Sequence, residues 1–553
     1  MVLILLAILI AALVALSAVA AFIPARVTAW GCTGIAAAIG LLAAVALAIP
    51  ETMSAMTLPS ATPLRLALEP IGASFLLLLA LSAMLRAEGG PLGFAGMAIA
   101  FLAADAFALV AGVVIAAFVA RRPPSALIAA VLLISAFALM GHGGEFAAIR
   151  TSSPDGWPLL LLVLGAVAAL LPNTPLLAGF LLLRVLFELC GPNQPMWWAV
   201  PLLLGGVTTV LAATLRASFA DTLHAHGTAA AMHQFGLAVI ALGIALLARA
   251  VDLPALATLA LEATWLAFAC LVFCRGLLLV CADVIETGAG TRRLDRLGGL
   301  IHRMPATTAC YLTGIFAVAV FPPGLGFAAF WPLFQALFIA ARIDGLGFEL
   351  LIAFAVLTVV ASAGIAAFAA VRVFGIAFLG RPRSPRAAVA EEAPRSIVVR
   401  LAGQAGLITV LGMLPGLAVL PASVWIGSDV FSLEPWHGYL ALVIAALLMI
   451  AGGSAVWIGR AIASGERRRE PAWSGGFAAP PPWLPFGDPA TQIGPVSFSD
   501  PLRRLLATVP RPSVDALPAK LRDLQRHIPT LNQWGIEVTL AVAALAVAAW
   551  LAS

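Results

Sequence analysis

Apolar residues run along this chain in long blocks parted by short polar breaks, and block length says more than any periodicity within a block. A helix that crosses a bilayer needs about 20 largely apolar residues. Blocks of that length, or near it, lie at 3–23, 29–49, 67–85, 91–104, 106–120, 123–141, 157–171, 174–190, 196–214, 228–249, 254–283, 307–341, 347–373, 398–420, 437–460 and 535–552. The pattern predicts an all-α polytopic membrane protein with about 14–16 transmembrane helices. The block at 307–341 is interrupted by Pro322, Pro323 and Gly324, with Gly326 close behind, so its helix must break there.

Composition supports the same solvent. The chain is 62% hydrophobic and 10% charged, against about 25% charged for a soluble protein. No soluble core hides so much apolar surface, because cores stop growing near roughly 250–300 residues. A cytosolic enzyme, a secreted disulfide scaffold and a nucleic-acid binder are excluded; the lipid bilayer is the surrounding medium. The six cysteines (Cys32, Cys190, Cys270, Cys274, Cys281 and Cys310) lack CxxC spacing and read as small apolar packing residues. Residues 1–22 carry no cation, which predicts a spanning helix in place of a cleaved signal peptide.

Of the 31 basic residues all are arginine except Lys520. Arginines collect in the loops at 121–122, 292–303, 381–395 and 460–470, whereas 50–66, 142–156 and 421–436 hold few cations. With 307–341 counted as one broken crossing, every basic loop falls on one side. The positive-inside rule makes that side the cytoplasm of a bacterial-type inner (plasma) membrane and places the N-terminus outside. The expected divisions are N-terminal spans over 1–90, a core over 91–380, C-terminal spans over 381–460, a cytoplasmic or interfacial segment over 461–534, and a final transmembrane helix over 535–553. Within the polar segment, 500–527 spaces Arg and Lys among Leu at roughly helical intervals. That fits an interfacial amphipathic helix split by prolines, and equally a solvated connection.

Four segments carry a family resemblance: LRLALEPIGASFLLLL at 64–79, RGLLLVCADVIETGAGTRRLDRLGGLIHRMP at 275–305, AVAVFPPGLGFAAFW at 317–331 and VRVFGIAFLGRPRSPR at 371–386. The last is followed by the WSGGF at 473–477 and the SFSDPL at 497–502. With them the chain resembles the antiporter-like membrane subunits of respiratory complex I and the membrane-bound group 4 hydrogenases. The likeness is greatest to the hydrogenase-4 component B and formate hydrogenlyase subunit 3 branch. The resemblance implies a 91–380 core of two inverted five-helix repeats, each with a broken helix, meeting at a chain of buried ionisable residues. It implies no redox cofactor, neighbouring membrane subunits as partners, and at most a non-redox part in an oxidoreductase complex. Such subunits couple a partner's electron transfer to proton or sodium movement, which needs groups that hold and release a proton in a low dielectric.

Against that family pattern the titratable groups are depleted. Asp105 is present, but Val113, Val114 and Ile115 stand where a carboxylate is expected, and 160–171 offers no lysine. Arg275 replaces a lysine, Leu271 the histidine before it, and Ala329-Phe330 a Ser-Glu pair. Guanidinium effectively never releases its proton, so Arg275 is a poor relay.

The polar residues left in the blocks each admit two readings. Arg184 and Glu188, four apart, are expected to pair on one helix. Arg275 and Asp283, about two turns apart, fall on a similar face, so Glu262 is expected to pair across helices. Glu262 and Arg275 together read either as a relict ion pair holding the broken helix or as a residual proton or ion path. His233 reads as a hydrogen-bonded helix contact or a relay, and Arg372 falls where the family often has a basic residue. His224 and His226 are expected to be solvated loop residues, and Asp105 to cap a helix. The expected function is an antiporter-like subunit of a multisubunit assembly, with conduction attenuated or lost. The alternative is a purely structural scaffold that docks a partner, for example in inorganic-carbon or other energy-coupled uptake. A lone solute transporter is disfavoured, because the spans offer few convergent polar groups.

Overall fold

The structure is a computed structural model that describes residues 2–19, 25–58, 64–85, 90–119, 123–141, 144–151, 157–171, 174–191, 194–427, 440–462 and 492–507. The expected final helix at 535–552, Lys520, the 473–477 signature and most of the polar segment lie outside the described residues.

The chain opens with two apolar helices, α1 (Val2–Val19) and α2 (Ala25–Ala48). A short antiparallel hairpin follows, β1 (Ala55–Leu58) and β2 (Leu64–Ala67), in register Ala55 opposite Ala67. Then come α3 (Pro70–Leu85), α4 (Gly90–Phe101), α5 (Ala106–Val119), α6 (Pro123–Met140), the single turn α7 (Phe146–Ile149), α8 (Trp157–Leu170) and α9 (Pro175–Leu181). The chain leaves α9 straight into a π-helix, Leu182–Leu189. Next are α10 (Ala199–Phe219), α11 (Leu223–Ala250) and the 36-residue α12 (Pro254–Ala289), then the short α13 (Leu300–Arg303). The broken pair is α14 (Pro305–Val318) and α15 (Leu325–Ala340), followed by α16 (Leu346–Ala377) and α17 (Pro385–Ala388). The described chain closes with α18 (Arg395–Met413), α19 (Pro415–Val419), α20 (Ser423–Ile426), α21 (Ala441–Ile462) and α22 (Pro495–Ala507).

Eight described helices are long and apolar enough to cross a membrane by themselves. With α3, α4, α5, α6, α8, the α9–π unit and the α14–α15 pair, the candidate crossings reach the expected range. The break falls at the prolines, between Val318 and Leu325, as the sequence requires. One apolar block differs from its expected form: 174–190 is a helix of two kinds, with the Cys190 amide reaching back five residues to the Val185 carbonyl at 3.2 Å.

Helix α11 is the axis. The 18-residue stretch that marks it as a span is wholly buried, which requires an apolar surface all round. It crosses α10 where Gly206 and Gly236 face each other's helix: a Cβ on Gly206 would meet the Ile240 amide at 2.8 Å, and one on Gly236 the Val210 amide at 2.9 Å. In lipid no hydrophobic force drives helices together, and small residues supply the close approach that dispersion needs.

Candidate functional site

The first concentration of charge lies where the hairpin, α7 and the π-helix meet. Strand β2 is tied down by Ala67 N–H donating to the Leu102 carbonyl (2.8 Å) and Ala104 N–H to the Arg65 carbonyl (3.0 Å). This sets Glu69, between β2 and α3, opposite the π-helix. Arg184 donates to Glu69 at 2.5 Å and to Glu188; Arg150, at the end of α7, donates to Glu69 at 2.6 Å and also to Glu188. The four side chains form a closed ring of alternating charge, neutral in sum. Arg184 also donates to the Ala103 carbonyl (3.3 Å) and lies over the Phe146 ring at 5.2 Å. The carbonyls loosened by the wide π turn find donors: Gln194 on Leu186, and Arg249 on Phe187 and Gly191.

The expected Arg184–Glu188 pair is therefore present, but as half of a larger unit. Glu69 and Arg150 are 81 residues apart in sequence, and no local spacing announces their meeting. Asp105 caps α5 as expected, accepting from the Ala108 amide (2.6 Å), and it also accepts from the Arg65 amide (2.5 Å).

Glu69 lies in the link between β2 and α3, before the helix begins at Pro70. Burial alone would raise its carboxyl, but the Arg184 charge and the hydrogen bonds from Arg150 and Arg184 outweigh burial and hold it below the ordinary carboxylate value. A carboxyl held down in the folded state gives stability that is complete above its unfolded value, about 4.3, and is lost as pH falls through the folded value. Thermal stability is expected to fall below about pH 4, and Glu69→Gln to flatten part of that acid limb. An acid limb identical in the variant contradicts this account.

The second concentration surrounds α11 and the break. His233 is 1% exposed, and its Nε2 meets the Ser362 hydroxyl of α16 at 3.1 Å. Gln234 donates to the Val318 carbonyl (3.2 Å), the last residue of α14 before the break. His233 Nδ1 and Gln234 Oε1 have no hydrogen-bond partner among the described residues. A cavity of about 10 Å³, near the minimum for one water, opens beside His233. Its walls include Thr214, His226, His233, Val318 and Ala369.

Two expectations are overturned here. His226 is not a solvated loop residue: it lies in the first turn of α11, 2% exposed, 3.5 Å from the Tyr311 hydroxyl. His224 is likewise helical and pairs with Asp283 at 3.0 Å. The burial follows from α12 and α14 closing over the start of α11, which one strand of sequence cannot display. Nor can Glu262 and Arg275 pair with each other. Both sit on the unbroken α12, 13 residues apart, or about 20 Å along the axis. The same rise places Asp283 about 12 Å beyond Arg275, and its carboxylate meets His224. Glu262 is 2% exposed, whereas Arg275 is only half-buried, beside the point where Gln404 of α18 donates to the Phe273 carbonyl (2.8 Å).

Arg372 of α16 is wholly buried, and its guanidinium donates to the Ala220 carbonyl at 2.8 Å and the Pro495 carbonyl at 3.1 Å. It thereby fastens α22 to the ends of α10 and α16, helped by Phe498 against Phe368 (ring centroids 5.4 Å). Arg372→Leu is expected to release α22 and speed trypsin cleavage after the exposed Arg504 about tenfold, the change that follows from losing two charge-assisted hydrogen bonds of about 1.5–3 kcal/mol each in part. Unchanged cleavage contradicts the fastening role. The second half of the expected amphipathic stretch, 508–527, lies outside the described residues; its first part is helical in α22.

Among the described residues no three His, Cys, Asp or Glu side chains converge as a metal site. No family model matches the chain. Hydrogenase-4 component B of Escherichia coli is 25% identical over 418 residues, covering 67% of this chain and 62% of that protein. Formate hydrogenlyase subunit 3 of the same organism is 27% identical over 316 residues, 56% of this chain and 52% of the relative. The chain thus spans between half and two thirds of these relatives' lengths. In three dimensions it is similar to a chain of the membrane-bound sulfane sulfur reductase, an archaeal respiratory membrane complex, with a TM-score of 0.67, 16% identity and coverage of 93% and 95%. It is similar also to a chain of respiratory complex I from Thermus thermophilus, with a TM-score of 0.59, 17% identity and coverage of 78% and 100%. Sequence and fold agree: the chain is a homologue of hydrogenase-4 component B and formate hydrogenlyase subunit 3, and it has the fold of the complex I membrane chain.

Proposed function

We propose that this protein is an integral subunit of a multisubunit membrane assembly of the complex I or hydrogenase-4 kind, in which it sits beside other membrane subunits and translocates protons or sodium weakly or not at all. The basic loops face the cytoplasm and the N-terminus lies outside. The observation that carries the reading is how the buried cations are held. Arg184 is locked in a neutral ring and Arg372 is bonded to two backbone carbonyls. No lysine lies in any described helix. A relay needs groups whose protonation changes at working pH, and arginine in such settings stays charged. The side chains at the break are instead the hydrogen-bonding set His233, Gln234 and Ser362.

The test is ion uptake driven by the intact assembly, purified from its own membranes and placed in vesicles with an internal pH dye. Arg275→Gln is expected to leave uptake within about twofold of the unaltered assembly, since arginine keeps its proton and is no link in a relay. Glu262→Gln is expected to do likewise, since the lysine that such a relay would need is replaced in this chain. A tenfold loss in either variant, with the assembly still intact, sinks the attenuated reading. A purely structural scaffold is the second reading, favoured by the replacement of carboxylate and lysine at each matched position. It requires the His233→Leu assembly to assemble and take up ions as before, whereas residual conduction through the α11 cavity requires a fall.

A further inference from the structure

At the cation-rich end of the helices most polar groups are satisfied within the chain. Glu286 is engaged by Arg292, Asp295 by Arg293 (2.7 Å), and Glu392 by the Thr307 hydroxyl (2.5 Å). One corner differs. The turn after α16 is stitched to the segment that leads into α22: Arg381 N–H donates to Gln492 Oε1 (3.3 Å) and Arg383 Nη2 to the Ile493 carbonyl (2.9 Å). Ser384 adds a bond to the Arg296 carbonyl (2.9 Å). Two donors in this corner, Arg383 Nε and Gln492 Nε2, have no acceptor among the described residues and are shut off from bulk solvent.

Arg383 is 6% exposed, so its guanidinium is a buried charge with a spare donor. Burial lowers its pKa, and Asp295, already bound to Arg293, opposes that only in part. Buried charges are paired as a rule, and a spare buried donor points to a missing anion. The rim of the same corner is aliphatic and open: Leu379 is 42%, Ile493 67% and Val496 52% exposed. Cations and spare donors beside an uncovered aliphatic rim match the two ends of one kind of molecule.

We propose that Arg383, with Gln492 and the neighbouring Arg381, binds the phosphate of an anionic phospholipid whose acyl chains cover Leu379, Ile493 and Val496. A zwitterionic headgroup would bring an ammonium into a corner already in positive excess. The site ties lipid to the same turn that anchors α22, and it does not depend on whether ions move through the protein.

Native mass spectrometry of the full-length protein, with phosphatidylglycerol or phosphatidylcholine added to the detergent, reads the site directly. The unaltered protein is expected to retain phosphatidylglycerol, and Arg383→Gln to retain about fivefold less, the worth of one arginine at an anionic surface. Arg504→Gln, which removes an arginine 82% exposed and paired with Asp500, is expected to retain as much as the unaltered protein. Should Arg383→Gln fail to fold, Gln492→Leu keeps the buried cation and is expected to lose retention by about twofold. Equal retention of the two lipids overturns the proposal, as does retention by both variants at the unaltered level. Displacement of the lipid by millimolar inorganic phosphate also overturns it, since the site would then serve the free ion. So does loss, on Arg383→Gln, of a co-purifying protein with the lipid unchanged.

Discussion

Arg184→Leu is expected to destabilise the folded protein by about 3–5 kcal/mol, the usual consequence of removing one member of a buried ion network. Arg184 is 2% exposed and touches both Glu69 and Glu188, so its loss leaves two carboxylates to share the single charge of Arg150. The double variant Arg184→Leu/Glu188→Leu separates charge from packing. It leaves one neutral Arg150–Glu69 pair at 2.6 Å and fills the vacated space with hydrocarbon. The double variant is therefore expected to be more stable than the single one, by about 1 kcal/mol or more, because neighbouring charges do not add independently. Melting temperatures of the detergent-purified variants decide it. A double variant no better than the single would show that the ring is not an electrostatic unit.

Gly326→Ala is expected to disrupt the broken helix. A Cβ there would land on the Ala317 carbonyl oxygen and lie 3.2 Å from Gln234 Nε2, so backbone must move and no rotamer can relieve the clash. Gly412 of α18 closes the same place from the other side: its Cβ would meet the Pro323 carbonyl at 2.5 Å and the Leu325 amide at 2.6 Å. Overpacking a filled core costs about 1–3 kcal/mol, and more where backbone is struck. Gly364→Ala is the control, since a Cβ there meets nothing within 4 Å and removes flexibility from α16. It is expected to be neutral or stabilising by up to about 1 kcal/mol. Equal melting temperatures for Gly326→Ala and Gly364→Ala would contradict close packing at the break.

The second result bears on mechanism as well as stability. Gln234 reaches the Val318 carbonyl because Gly326 lets α15 approach α14 at the break. The polar axis beside α11 and the interruption of the helix are thus one construction. Loss of the glycine is expected to disturb both, whereas loss of Gln234 leaves the break in place.

Several features were legible one residue at a time. Proline and glycine at 322–324 had to end a helix, whatever surrounded them. Arg184 and Glu188 had to meet, because four residues return to one side of a helix and charge in an apolar block demands a partner. Asp105 had to cap, since its carboxylate precedes an apolar run. These are local consequences of backbone geometry. His226 went the other way: near a polar loop in sequence, it is covered by α12 and α14 in space. Glu69 and Arg150 gave no signal either, because their partnership spans 81 residues and depends on a hairpin docking against the 102–104 segment.

The apolar blocks by themselves determined that this chain lives in a bilayer and roughly how many times it crosses. They could not determine which helix sits at the centre. α11 and α21 have mean hydropathies of 1.9 and 2.3, yet the first is wholly buried in protein and the second only 11% buried. In water those two positions would demand different sequences, one apolar all round and one half polar. In a membrane, lipid tails and protein interior are equally apolar, so hydropathy ceases to distinguish them. What tells them apart is shape: the glycines that let α10 meet α11, and α14 and α15 meet α18. Only the tertiary structure displays the surfaces those glycines fit.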